Sequence, residues 1–278
     1  MHSLLAQAVL LGVLQGLTEF LPVSSSGHLA LAQQLIPGFS QPGVLLDVSL
    51  HVGTLAAAAA YFRRELIEIA SLAGAVAGGR ELSEPERAAQ KLVIGIVIAT
   101  APTGLIGLLL EDRVEWMFGS ALWVGACLMI TGTVLVAGEL IGRGRQETPG
   151  HPGRFVSLVI GVVQGIAVLP GISRSGSTIS AARALGVGRE EAARFSFLAS
   201  LPAVAGAALL SAVKHADAVR VFSADQALAY IIGPLVAAVV GYVAIEIVMR
   251  FMRRGTLMWF SLWCFAVGIV SVGVGLWR

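Results

Sequence analysis

Apolar residues run along this chain in blocks, with most polar residues between them. Six blocks, 44–62, 92–110, 121–142, 191–213, 226–249 and 257–277, are long enough to cross a bilayer as helices, a task that takes about 20 residues. Two more regions, 3–36 and 155–186, are apolar but broken in the middle, the first by Pro22 and Ser24–Gly27, the second by Pro170, Gly171 and Ser173–Gly176. Non-helical backbone survives at membrane depth only where it is buried in protein or lines a wet cavity. The pattern therefore predicts an all-α polytopic membrane protein of six transmembrane helices and two re-entrant helical hairpins.

The broken regions are related. Gly12-Val13-Leu14-Gln15-Gly16 matches Gly161-Val162-Val163-Gln164-Gly165 at an offset of 149, and the same offset carries Ser24, Ser26 and Gly27 onto Ser173, Ser175 and Gly176. Each copy is followed by three predicted spans, so the chain divides into a first half, 1–142, with a cytoplasmic loop at 63–91 that carries a short interfacial helix, and a second half, 143–278. Three crossings per half turn the second half over, which predicts an inverted-topology repeat whose site lies where the halves meet. The cations agree. The helix ends and loops at 63–91, 143–154, 183–194 and 250–254 hold 14 of the 19 Lys and Arg, against four at Arg113, Lys214, Arg220 and Arg278. By the positive-inside rule the first set is cytoplasmic and both termini lie outside. The hairpins then enter from opposite faces and their tips can meet.

Composition narrows the function classes. Of 278 residues 56% are hydrophobic and 13% charged, with a mean hydropathy of +0.83. That is about half the charge of a soluble domain, and it argues against a soluble enzyme, a nucleic-acid binder or a disordered chain. Net charge, +2, adds little. Cys127 and Cys264 lie inside apolar runs and read as small packing residues. The first apolar run has no basic flank and carries Gln15 and Glu19, so a cleaved signal peptide is not expected.

The remaining scarce charges carry the chemistry. Glu19 is a carboxylate inside an apolar helix, costly enough that function is the default reading, and Gln15 lies four residues earlier on the same helical face. The first tip, Val23-Ser24-Ser25-Ser26-Gly27-His28, is dense in hydroxyls. Ser24 and Ser26 are divided between helix capping and ligand binding, whereas Ser25, three residues from the His28 imidazole, is a candidate nucleophile with a nearby base. In the second tip, Pro170-Gly171-Ile172-Ser173-Arg174-Ser175-Gly176, a permanent cation stands among small residues. Arg174 with backbone amides forms an anion clamp suited to phosphate, or else an internal salt bridge to Glu19. At the repeat offset Arg174 occupies the place of Ser25. Asp47 and His51, four apart, are weaker candidates for support. Glu139 and Glu246 read as snorkelling, and His2, His151 and His215 as loop residues.

The strings Gln15-Gly16-Leu17-Thr18-Glu19-Phe20-Leu21-Pro22-Val23-Ser24-Ser25-Ser26-Gly27-His28 and Pro170-Gly171-Ile172-Ser173-Arg174-Ser175-Gly176 together resemble the bacitracin-resistance family of undecaprenyl pyrophosphate phosphatases, in order and over essentially the whole chain. The resemblance implies hydrolysis of undecaprenyl pyrophosphate to the monophosphate, recycling a lipid carrier of wall synthesis in the bacterial plasma membrane, with a divalent cation, Mg or Ca. It implies that Glu19, Ser25, His28 and Arg174 are catalytic. Gln15, Ser24, Ser26, Gly27, Ser173, Ser175 and Gly176 then bind substrate. Many members carry Glu where this chain has Gln15, so the metal would rest on Glu19, pyrophosphate oxygens and water. Expected partners are the polyprenyl pyrophosphate, membrane lipid and, as an open option, a second copy of the chain, with no nucleic acid. The acid-phosphatase-like lipid phosphatases are a rival, but their second string needs a histidine where Ser180 stands. The alternative from another class is a secondary transporter or lipid flippase, since inverted repeats and broken helices are transporter features.

Overall fold

The computed structural model describes residues 4–39, 45–148, 150–214 and 223–277. Both chain termini, His2, His215, Arg220 and Arg278 lie outside the described residues. Within them the chain forms eleven α-helices and no strand: α1 Leu4–Phe20, α2 Ser25–Leu35, α3 Leu45–Tyr61, α4 Arg63–Ala77, α5 Glu84–Phe118, α6 Ala121–Arg143, α7 Arg154–Ile166, α8 Arg174–Ala184, α9 Arg189–Lys214, α10 Ala224–Arg254 and α11 Met258–Trp277. Five of them, α5, α6, α9, α10 and α11, are long and apolar enough to cross a membrane, and the count is six if the bent pair α3–α4 makes one span. The protein is an all-helical, multi-pass membrane protein.

Between α3 and α4 the chain bends by 76°. The polar stretch expected as a loop at 63–91 is thus largely helical. It holds α4 and the opening turns of α5, which starts at Glu84 because Ser83 and Glu86 form a capping box there. Arg80 closes on the same Glu86 carboxylate.

The repeated glycines explain how the two broken regions are seated. α1 packs along α10, and α7 along α5. A Cβ on Gly12 would lie 2.5 Å from the Gly233 carbonyl oxygen, and one on Gly161 would lie 2.2 Å from the Ala99 carbonyl oxygen. Gly16 and Gly165 face Val240 and Ile106 at 2.7 Å. Backbones this close exclude any side chain, and small residues of this kind are how helices associate without a hydrophobic driving force. Each copy of the motif therefore seats its helix on a partner that belongs to the other half of the sequence.

Behind the tips lies a packed core. Phe20, at the end of α1, meets Phe197 of α9 edge to face at 5.3 Å, and Leu135, Ile179 and Ile245 close around them. One reading is corrected away from the site. Glu139 does not snorkel to the surface. It is fully buried, bonded by Arg189 at 2.7 Å, by Arg143 at 3.0 Å and by the Leu257 amide at 3.2 Å, and it ties α6 to the start of α9 and of α11. A buried carboxylate with this many donors is compensated where it stands and has no need of water. Glu246 does reach toward the surface, held by Tyr61 at 2.7 Å and Arg250 at 2.6 Å.

Candidate active site

Both tips are helix starts. Ser24 caps α2 by accepting from the Gly27 amide at 3.3 Å, and Ser173 caps α8 by accepting from the Gly176 amide at 3.0 Å. Capping is the structural reason for the repeated Ser-x-Ser-Gly. Ser26 Oγ lies 3.3 Å from Ser24 Oγ, and Ser175 Oγ lies 3.4 Å from Ser173 Oγ.

The expected meeting of the tips is present. Ser175 Oγ donates to the Leu21 carbonyl of the first tip at 3.1 Å. A Cβ on Gly27 would stand 2.9 Å from Gly171 Cα, so backbone meets backbone there. Thr131 of α6 fixes the second tip from behind, donating to the Gly171 carbonyl at 2.8 Å and accepting from the Ser173 amide at 2.9 Å.

Capping leaves the first residue of each helix free to point across the junction. Those residues are Ser25 and Arg174, and both reach Glu19. Ser25 Oγ donates to Glu19 Oε2 at 2.5 Å, and an Arg174 guanidinium nitrogen donates to Glu19 Oε1. Gln15 Nε2 donates to Oε2 at 2.9 Å, one turn away on α1. His51 Nε2 lies 3.4 Å from the same oxygen. The carboxylate is buried, and its charge is offset by Arg174 in a setting where an unpaired ion is very costly.

These groups border a cavity of about 200 Å³. One wall is Glu19 with Ser24, Ser25 and Ser26, and another is Ser173, Arg174 and Ser175. Thr103 and Gln164 add hydroxyl and amide, and Val168, Ala203, Val204 and Ala207 make the remainder apolar. Arg174 Nη1 is buried and has no hydrogen-bond partner. The guanidinium thus binds Glu19 with one nitrogen and leaves another unpartnered.

His28 departs from expectation. Its Nδ1 donates to the Ser24 carbonyl at 2.7 Å, its Nε2 accepts from Trp263 Nε1 at 2.9 Å, and it does not border the cavity. The imidazole is not brought to Ser25, because Ser25 opens the helix facing Glu19 while His28 turns back on the cap and toward α11. The imidazole at the carboxylate is His51, held by its Nδ1–H to the Asp47 carbonyl at 2.8 Å. Asp47 itself accepts from Gln33 at 2.5 Å and is not at the cavity. Sequence reasoning gave His51 only secondary weight and did not single out Thr103 or Gln164. For Gln164 a signal existed, since it repeats Gln15 at the offset of 149.

The donor set speaks on a metal. Among the described residues no group of three or more His, Cys, Asp and Glu side chains stands ready for a cation. Glu19 is the acid at the cavity, and both its oxygens already accept from Arg174, Ser25 and Gln15. The residues present do not fit a cation held by protein alone.

Comparison with known proteins gives the same full-length result. Residues 8–270 match the family model described as bacitracin resistance protein BacA. A protein named undecaprenyl-diphosphatase from Desulfosudis oleivorans is 45% identical over 278 residues, spanning 97% of this chain and 98% of its own. One of the same name from Rubrobacter xylanophilus is 43% identical over 266 residues, 95% of each chain. A third, from Methanosphaera stadtmanae, is 37% identical over 276 residues, 95% of this chain and 96% of its own.

Proposed function

This chain belongs to the bacitracin resistance protein BacA family, and on that premise we propose the route by which it hydrolyses undecaprenyl diphosphate to undecaprenyl phosphate and inorganic phosphate. It is a membrane hydrolase, and bacitracin resistance follows from the family. One observation carries the reading. A single buried carboxylate, Glu19, accepts a hydrogen bond from Ser25 and pairs with Arg174, at the meeting of two helix N-termini.

In this route the diphosphate enters the polar cavity. Arg174, with its unpartnered nitrogen, and the amide ends of α2 and α8 take up phosphate charge, which is most of what phosphoryl transfer asks of a protein. Ser25 Oγ attacks the terminal phosphorus as Glu19 takes its proton. The bond to the bridging oxygen breaks, and undecaprenyl phosphate leaves. Glu19 passes that proton to the departing undecaprenyl phosphate. Water, its own proton going to the freed carboxylate, then cleaves phosphoserine and releases inorganic phosphate as Glu19 returns a proton to Ser25 Oγ. His51 holds Glu19 in place, and His28 supports the tip through the Ser24 carbonyl. Gln15 orients the carboxylate, while Ser24, Ser26, Gly27, Ser173, Ser175 and Gly176 build the two caps that shape the anion site. A divalent cation would be held by the diphosphate oxygens rather than by a cluster of protein ligands, and would supply neutralisation of phosphate charge.

The wider proposal keeps six spans, α3, α5, α6, α9, α10 and α11, with α1–α2 and α7–α8 as re-entrant hairpins of an inverted repeat, residues 1–142 and 143–278. The reciprocal seating of α1 on α10 and α7 on α5 supports it. The basic helix ends support a plasma-membrane orientation with both termini outside. A second copy of the chain is required by no step.

Phosphate release from undecaprenyl diphosphate by purified protein is the test. Wild type releases phosphate, and Glu19→Ala loses about 10³-fold or more of that rate, the size of a general base together with charge stabilisation. Equal rates in both overturn the site assignment, and no release from either turns the reading toward a transporter.

A further inference from the structure

We infer that the hydrophobic tail of the substrate lipid leaves the cavity past Ile172 and lies in an apolar groove between α6, α7 and α8. The inference rests on the diphosphatase reading and adds to it the place of the tail.

The groove holds about 320 Å³ and is lined by Val134 and Ile141 of α6, Val163 and Ile166 of α7, and Ala181 and Ala184 of α8. No charged side chain lines it, and its polar groups are the hydroxyls of Ser177 and Ser180. Its floor is a close helix contact. A Cβ on Gly138 would stand 2.4 Å from Ser180 Cβ, so α6 and α8 touch there and the small residues of α8 leave a channel above them. An open apolar channel beside lipid would by itself mean little. This one adjoins the polar cavity, since Ile172, in the second tip one residue before the Ser173 cap, borders both.

Direction also fits. Beyond Ala184 the chain turns through 185–188 into α9, so the groove runs toward the end of the bundle where α9 begins. The α9 residues at the cavity, Ala203, Val204 and Ala207, lie past the middle of that helix toward Lys214, at the opposite end. A molecule spanning both places points a charged head one way and an apolar chain the other, as a lipid does.

The test places bulk at the far end of the groove. Ala184 is roughly 15 Å along α8 from Arg174 at the helical rise, beyond the reach of a short prenyl chain. Ala184→Trp fills the groove from α8, and Ile141→Trp fills it from α6 at an exposed position. Leu262→Trp, on the lipid-facing side of α11, is the control. Phosphate release is measured for undecaprenyl diphosphate and for geranyl diphosphate. The expected result is a KM for undecaprenyl diphosphate raised about tenfold in both groove variants, as the added bulk displaces the tail. KM for geranyl diphosphate and the control stay within about twofold. Long- and short-chain KM values unchanged in both groove variants, or raised in equal proportion in Ile141→Trp, overturn the inference. If wild type hydrolyses neither substrate, the diphosphatase reading fails first.

Discussion

The two tips share a frame and differ at the residue that follows the cap. Both have a serine cap bonded to a glycine amide three residues on, and both deliver the first residue of the next helix to Glu19. In the first tip that residue is Ser25, a small hydroxyl that can lose a proton. In the second it is Arg174, a charge that cannot. The carboxylate between them has no twin, since the repeat offset takes Glu19 to Val168, an apolar residue at the same cavity. The chain reversal is also made differently. In the first tip the cap itself is left-handed, Ser24 at φ 71°, whereas in the second Ser173 is ordinary and Gly171 takes the turn at φ 94°. The repeat supplies two capped helix starts, and the departures from it supply Ser25, Glu19 and Arg174, to which the proposed route gives the roles of nucleophile, base and cation.

The comparison can be broken at the second tip first. Arg174→Ala leaves Glu19 buried with its main counter-charge gone, and unfolding in detergent should show a loss of about 3–5 kcal/mol. Phosphate release should fall about 10²–10³-fold. Removing both partners together, Glu19→Ala with Arg174→Ala, should return much of the stability and none of the activity. Recovery of activity would mean that the pair is structural only.

The turns separate the tips next. Gly171→Ala forces a side chain into a left-handed backbone, at about 1–3 kcal/mol, and aims its Cβ at the Val124 carbonyl oxygen 2.4 Å away. Ser24→Gly keeps the left-handed turn and loses only the capping hydroxyl, so its effect on unfolding stability should be a few tenths of a kcal/mol. Equal shifts would deny that the reversals differ. The smallest contrast is Ser173→Ala, where the cap is lost without any relief of backbone conformation and about 1 kcal/mol is expected.

Much of this was legible in the sequence because membrane depth makes charges scarce. Glu19 and Arg174 stood out among apolar neighbours, and the offset between the broken segments located both caps. The same motif's glycines carried a packing message as well, since Gly12 and Gly161 sit where helix backbones touch. His51 was harder, because it approaches Glu19 from a different helix and nothing local in α3 marks which way its ring points. His28 stands apart from Ser25 for the opposite reason. Nearness in sequence to Ser25 is not nearness in space when a helix start separates the two faces. Glu139 sits near the end of its helix, and Arg189, which encloses it with Arg143, comes from a part of the chain 50 residues away.

The central claim is that Ser25 and Arg174 act on one phosphate through one carboxylate, with Ser25 forming the bond. Wild-type protein turning over undecaprenyl diphosphate can be quenched in acid within a single turnover and its phosphorylated residue mapped. The account predicts phosphate on Ser25, at a level that rises and decays at rates compatible with turnover. A quenched enzyme free of phosphoserine, together with a Ser25→Ala variant that retains near-normal turnover, would contradict it and leave water as the attacking group.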